Sequence, residues 1–465
     1  MGNEMPSQPF VSPDDIRVAF SQAMSDMYRK EVPLYGDLLE IVADTNAAAL
    51  ANGVSSGVIG GDDLARLNGE RHGAIRLGTA EELRGVKRAF AVMGMRAVGY
   101  YDLTVAGVPV HSTAFRPVTE EALSHNPFRV FTSLLRLDLV EDISLRDQAA
   151  AILSRRRILN EQAMTMIERA EAQGGLAAED AKIFVVEVLQ TFRWHSEAVV
   201  DAQTYRRLHD AHRLIADVVS FKGPHINHLT PRTLDIDAVQ TEMPRRGIAA
   251  KALIEGPPRR EVPILLRQTS FTALQEKIIF SGQDAREAGT HTARFGEVEQ
   301  RGLALKPKGR LLYDALIEEA RDGKGGEYSE RLADVFVKFP DDPGILRREG
   351  LGYFRYYLTP SGERVAREGT VSVFELDDLI DAGWVSAIPI TYEDFLPVSA
   401  AGIFQSNLGD EKQRGYAAGA AQSAFELALG DAVLDPFELY RDIEERSLRE
   451  LGDALGHTIA LREMA

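Results

Sequence analysis

The sequence predicts an α+β fold in which two β-α-β-β-β modules, split by a helical insertion, pair into a curved sheet around a cavity. Three observations predict it. A strand, a capped helix and three further strands follow one another from His72 to Leu137. The same order of elements returns from Ile226 to Leu305, and the intervening Val140 to Phe221 carries the period of helices. The repeat is one of element order, not of residues.

Ser12-Pro13-Asp14-Asp15 supplies an N-cap, a proline at the first helical position and early acidic residues. Ile16, Phe20, Met24 and Met27 then recur at helical spacing. A second helix is expected over Leu34 to Ala51, followed by a Gly-rich stretch, Gly53 to Gly61. His72 to Leu77 reads as a strand, and Thr79-Ala-Glu-Glu82 as a capping box opening a helix through Leu83, Val86 and Phe90. Ala97 to Leu103, Val108 to Phe115 and Phe128 to Leu137 complete the first module. The insertion should hold helices over Asp147 to Ala172 and Ala177 to Val199, with Arg155-Arg156-Arg157 as a solvated helix face. In the second module Ile226 to Thr230, Ala250 to Glu255, Ile264 to Ala273 and Thr292 to Leu305 read as strands, with a helix over Leu234 to Met243. Beyond it the pattern predicts helices over Gly309 to Arg321 and Asp435 to Leu455, and strands over Phe354 to Leu358 and Trp384 to Thr391. The divisions are therefore 1–138 (N-terminal helices and first module), 139–222 (insertion), 223–306 (second module) and 307–465 (a C-terminal α/β region completing the cavity).

Composition excludes several functions. A net charge of −17 over 465 residues repels phosphate backbones and anionic lipid, so neither nucleic acid nor membrane is an expected partner. The absence of cysteine removes disulfides, thiolate nucleophiles and every cysteine-bearing metal site, so a metal must be held by His, Asp or Glu. Met1 to Asp15 has no apolar h-region, Pro6 breaks a myristoylation motif, and no apolar run approaches the ~18 residues of a membrane span. A cytoplasmic location is expected. His-Glu-x-x-His, Gly-x-Ser-x-Gly and P-loop motifs are all missing.

Ten His residues remain as candidate ligands. Iron(II) oxygenases hold their metal with two His and one carboxylate on one face, leaving other positions open. His72 and His228 begin equivalent strands of the two modules, and Glu297 lies in the last strand of the second. Around a pseudo-twofold axis these three can converge. His225 is as good a candidate as His228, although residues three apart in a strand face opposite ways. Glu297 and Glu299 share a face, so periodicity does not choose between them. His111, His125, His195, His209, His212, His291 and His457 have no comparable partner and read as structural or surface residues. Arg76 lies four residues beyond His72 on the same face, ~13 Å along the strand. It could clamp the far carboxylate of a metal-bound ligand, or form an ion pair with Glu70 or Glu82.

Four stretches closely resemble one known family. They are Glu-Arg-His72-Gly-Ala-Ile-Arg76, Gly-Pro-His-Ile-Asn-His228-Leu-Thr-Pro-Arg-Thr-Leu-Asp, Ala-Arg-Phe-Gly-Glu297-Val-Glu-Gln-Arg-Gly and Asp394-Phe-Leu-Pro-Val398-Ser-Ala-Ala-Gly-Ile-Phe-Gln-Ser-Asn. The family is the 2-oxoadipate dioxygenase/decarboxylases, or 2-hydroxyglutarate synthases, and the likeness runs from about Phe10 to beyond Glu438. It implies a vicinal-oxygen-chelate type of fold and an Fe(II) cofactor held by His72, His228 and Glu297. It also implies a substrate-carboxylate role for Arg76 and substrate contacts at His72, Val398 and the adjacent Ser399. The implied reaction converts 2-oxoadipate and O2 to 2-hydroxyglutarate and CO2 in lysine breakdown. Alternatives are a related dioxygenase acting on another 2-oxo acid or a catechol, and a non-catalytic ligand-binding protein of the same fold.

Overall fold

The computed structural model describes residues 10–53, 66–271, 274–282, 288–292, 294–323, 326–368, 375–396, 414–456 and 459. Helix Pro13–Glu31 starts where the sequence places it, with the Ser12 hydroxyl accepting from the Asp15 N–H at 3.0 Å. Its Ile16, Phe20, Met24 and Met27 stripe is buried. Helix Pro33–Ala51 follows directly. Of the Gly-rich stretch only Gly53 lies among the described residues.

The elements of the first module appear in the expected order, strand β1 (Arg71–Leu77), helix Ala80–Val92, then β2 (Arg96–Asp102), β3 (Val110–Arg116) and β4 (Arg129–Leu135), with a short helix, Glu120–His125, that was not anticipated between β3 and β4. The capping box is half right. Thr79 caps the Glu82 N–H at 3.2 Å, but Glu82 turns to the Gly78 N–H (2.7 Å) and holds Arg156 with both oxygens. That ion pair corrects the reading of Arg155-Arg156-Arg157. Arg156 turns inward and donates to the Val218 and Phe221 carbonyls. The single expected helix over 147–172 is broken there into Ile143–Leu153 and Glu161–Gln173, the second capped by Asn160. The next helix, Ala178–Leu189, passes into a 3-10 turn at Gln190–Phe192 and stops short of Val199.

β1 pairs parallel with β4, and the sheet order β2-β3-β4-β1 continues to β5 (Leu229–Pro231), antiparallel to β1 with His72 opposite Thr230. The second half repeats this wiring with less regular strands. Arg232 bridges in parallel to Glu299 of β9 (Glu297–Arg301), and β9 pairs antiparallel with β6 (Leu266–Ser270). Ala250 and Glu255 meet Phe271 and Gln268 only as isolated antiparallel bridges, so the strand expected over Ala250 to Glu255 is absent as such. The strands expected over 264–273 and 292–305 shorten to β6 and β9. Leu265 has a φ of 52°, which breaks the extended run before β6. A hairpin of β7 (Glu276–Ile279) and β8 (Ala288–His291), not anticipated, is inserted between them. Helix Ile236–Arg245 is displaced two residues from its predicted span.

Farther on, β10 (Phe354–Leu358) and β11 (Val385–Pro389) form an antiparallel pair. Helices Pro307–Asp322 and Pro436–Leu455 agree with expectation, whereas Tyr328–Phe336, Pro343–Arg348, Pro360–Glu368, Leu376–Asp381 and Arg414–Leu429 add to it. The outcome is a mixed α+β protein with open sheets.

Strand alternation sorts β1 between two cores. Ile75 and Leu77 pack with Phe20, Met24 and Phe90 of the flanking helices. Ala74 packs with Phe131 and Ile278 on the other side, and His72 and Arg76 share its face. In β9, Val298 joins the helix-side core, so Glu297 and Glu299 face the same way as His72.

Candidate metal centre

His72, His228 and Glu297 converge. One ligand atom from each lies within 4.8 Å of the others, and all three residues are buried. Glu297 Oε2 is 3.2 Å from His228 Nε2 and 3.9 Å from His72 Nε2, and the two rings stand at 87° with centroids 5.3 Å apart. Antiparallel pairing of β1 with β5 brings the imidazoles together, and the Arg232–Glu299 bridge carries β9 to the same place. Phe395 packs edge-on against His72, and Phe295 lies tilted against His228, so the site has apolar walls.

Charge distinguishes the two glutamates that periodicity left equivalent. Burial would raise Glu299, but Arg301, His72 and Arg129 outweigh it and hold its carboxyl at about 2. Arg301 binds it through two nitrogens, at 2.8 and 2.9 Å. Burial pushes Glu297 well above the usual carboxylate range, and Glu255 and Glu299 push it further. Among the described residues no Arg or Lys lies within salt-bridge distance of it. Burial also lowers both imidazoles, in His72 against the pull of Glu299 and in His228 with the help of His72 and Arg76. Two imidazoles with lowered pKa and a buried carboxyl that no Arg or Lys among the described residues salt-bridges form a donor set that a divalent cation fits, because the ion supplies positive charge at close range.

Glu299, which the sequence left only as the alternative ligand, lies 2.9 Å from His72 Nδ1. A carboxylate on one imidazole nitrogen fixes the ring with the other turned to the metal. Glu299→Ala is therefore expected to lower metal affinity ~10–100-fold, as loss of an outer partner does. It also strips Arg301 of its bidentate carboxylate. Metal titration of the variant checks this, and an unchanged affinity would contradict it.

Arg76 is held by neither Glu70 nor Glu82. Its Nη1 is 2.7 Å from Asp217 Oδ2, and its side chain keeps 23% exposure. Glu70 serves Arg129, Arg232 and Arg66 instead. Asp217 also gathers His225 and His291 into a second buried group. This corrects the reading of His291 as a residue without a comparable partner, and it takes His225 out of contention for the first site. No spacing signal links a residue of the helical insertion to one in an unanticipated hairpin. Val398 and Ser399 lie outside the described residues.

Fold and site together define a mixed α+β protein with a buried two-histidine, one-glutamate group that could hold a metal ion. Residues 20–407 match the family model described as 2-oxoadipate dioxygenase/decarboxylase, and the chain belongs to that family. It is 58% identical over 445 residues to the 2-oxoadipate dioxygenase/decarboxylase of Escherichia coli K12, covering 95% of this chain and 99% of that one. The Pseudomonas putida protein of that name is 56% identical over 461 residues (97% and 99%), and the Mycobacterium tuberculosis H37Rv protein 38% over 443 (93% and 97%). The crystal structure of hydroxyglutarate synthase from P. putida in complex with 2-oxoadipate superposes with a TM-score of 0.88 at 53% identity, covering 96% of this chain and 99% of that one.

Proposed function

We propose that this chain is an Fe(II)-dependent dioxygenase/decarboxylase that converts 2-oxoadipate and O2 to 2-hydroxyglutarate and CO2, acting in the cytoplasm in lysine catabolism. The observation that carries the reading is the convergence of His72, His228 and Glu297, with Glu297 buried and, among the described residues, no Arg or Lys within salt-bridge distance of it. The P. putida relative crystallised with 2-oxoadipate supports the substrate. The matching strand wiring of the two halves supports a vicinal-oxygen-chelate arrangement, in which paired modules enclose one metal.

Ferrous iron, when bound, supplies oxygen activation and a template for the 2-oxo acid. The reaction balances without a reductant. The C1–C2 bond breaks and CO2 leaves. One oxygen atom enters the new carboxylate at the former C2, and the other is inserted into a C–H bond beside it. The chain's own groups do the rest. Glu299 keeps His72 in the ligating orientation, and Phe395 and Phe295 exclude water. Arg76, on the face of His72, receives the far carboxylate and so fixes which carbon is presented to oxygen. Val398 and Ser399 are proposed to complete the substrate contacts.

Oxygen uptake by Fe(II)-loaded protein on adding 2-oxoadipate, with 2-hydroxyglutarate as product, is the direct test. Absence of uptake would favour a ligand-binding role. Arg76→Ala is expected to raise KM for 2-oxoadipate roughly 10–100-fold, the worth of a charge-assisted hydrogen bond. A catechol substrate, having no far carboxylate, predicts little change.

A further inference from the structure

We propose that Asp217, His225, His291 and Tyr205 form a clamp that fixes the Arg76 guanidinium, making them positioning residues for selection of a dicarboxylic substrate. The inference rests on the reading that Arg76 receives the far carboxylate. It starts from a pattern of hydrogen bonds that leaves one edge of Arg76 open.

Asp217 Oδ2 takes Arg76 Nη1 at 2.7 Å. Its other oxygen, Oδ1, is shared by His291 Nε2 at 2.8 Å and His225 Nε2 at 3.2 Å. Burial would raise the Asp217 carboxyl, but His225, His291 and Arg76 hold it well below its usual range, so it is an acceptor only. His291 Nε2 therefore carries a proton and donates. With the proton on Nε2, its Nδ1 is left to accept the Tyr205 hydroxyl at 2.7 Å. Asn227 closes the other side. In the amide orientation that satisfies both ends, its Nδ2 meets the Ala74 carbonyl at 3.3 Å and its Oδ1 accepts from Arg76 Nη1 at 3.0 Å. Trp194 stacks on His291 at 8° and meets His225 edge-on, so the rings have little freedom.

All the tethers go to Nη1. Among the described residues Nε and Nη2 of Arg76 make no hydrogen bond, and the side chain alone in the group is partly exposed. A guanidinium tied at one nitrogen and free along the opposite edge presents the two parallel donors that a carboxylate takes. The clamp parts come from elements outside the repeated sheet wiring. Asp217 lies on helix Arg213–Val219 of the insertion and His291 on the added hairpin. Both elements deliver a buried polar group to the strand that carries His72. Such tethering lowers the ordering cost of substrate binding.

The Arg76 bond at Asp217 Oδ2 also makes a second metal centre at these three side chains less apt than a hydrogen-bonded clamp, and metal content separates the two. The test compares 2-oxoadipate with 2-oxohexanoate, which lacks the far carboxylate, in the Fe(II)-loaded full chain. In Asp217→Asn the ratio of kcat/KM for the two acids is expected to fall about tenfold or more, the worth of one charged hydrogen bond. A merely structural loss would lower both acids alike and leave the ratio. Tyr205→Phe, which removes one hydroxyl, should move the ratio the same way by a smaller factor and carries the test if Asp217→Asn does not fold. Calorimetric Kd values of both acids on Zn(II)-loaded protein, which does not turn over, should show the same change. An unaltered ratio in both variants overturns the clamp. Arg76→Ala separates the two layers. A lost preference there with a retained one in Asp217→Asn removes the clamp alone, whereas a retained preference in Arg76→Ala removes the reading of Arg76 as well. One metal ion per chain, unchanged in His291→Gln, is expected. Two per chain, falling to one in that variant, would overturn the clamp.

Discussion

Glu297→Gln is expected to abolish stoichiometric metal binding and to reduce turnover on the order of 10^3-fold or more, since a bound metal contributes several kcal/mol at ~1.4 kcal/mol per tenfold. The same change should leave the metal-free protein at least as stable as the parent. The native carboxyl is buried against Glu255 and Glu299 with its ionisation disfavoured, so a neutral amide of equal size removes a cost. Metal content by elemental analysis and thermal melts in chelator report the two effects separately. A variant that still binds one ion per chain would show that the third ligand lies elsewhere.

The largest stability loss is expected at Glu70, two residues before His72 but touching none of the three candidate ligands. Its side chain is fully buried and takes Arg129 and Arg232 at 2.9 Å, with Arg66 at 3.5 Å and Arg301 at 3.8 Å. Burial would raise it, yet these four cations hold it well below the usual range. Glu70→Ala leaves four buried guanidinium groups short of a partner, and removing one member of a buried pair costs ~3–5 kcal/mol. Glu393, held at about 2 against its burial chiefly by Arg129 and Arg66, is the only other carboxylate within salt-bridge distance of these two arginines among the described residues. Denaturant unfolding of the variant should show the loss or an insoluble chain. A midpoint equal to the parent's would contradict this account of the arginine cluster.

Much of the first module was legible because each element carries its own signal. Thr79 caps a helix by its position before Glu82, and in the C-terminal region β10 is likewise an aromatic-rich run with the bounds expected of it. The second module was legible in order but not in extent. Its strand positions carry Arg267, Glu299 and Arg301, buried in side-chain pairs rather than in an apolar pattern, so hydropathy could not set their ends. The site shows the same division. His72 and His228 followed from equivalent strands and the resemblance. The choice of Glu297 over Glu299 rested on the resemblance alone. Arg301 was the missed signal: two residues beyond Glu299, on the same face, it neutralises that carboxylate, whereas no Arg or Lys among the described residues salt-bridges Glu297. Asp217 and His291 had no such cue, because the contact joining them to Arg76 spans separate insertions.

Turnover of 2-oxoadipate by the Fe(II)-loaded protein under labelled dioxygen tests the central claim most directly. A single metal held by His72, His228 and Glu297, acting on one substrate that supplies all the electrons, predicts 2-hydroxyglutarate carrying both labelled atoms, one in the new carboxylate and one in the hydroxyl. Unlabelled 2-hydroxyglutarate, or turnover that persists unchanged in Glu297→Gln, would contradict it.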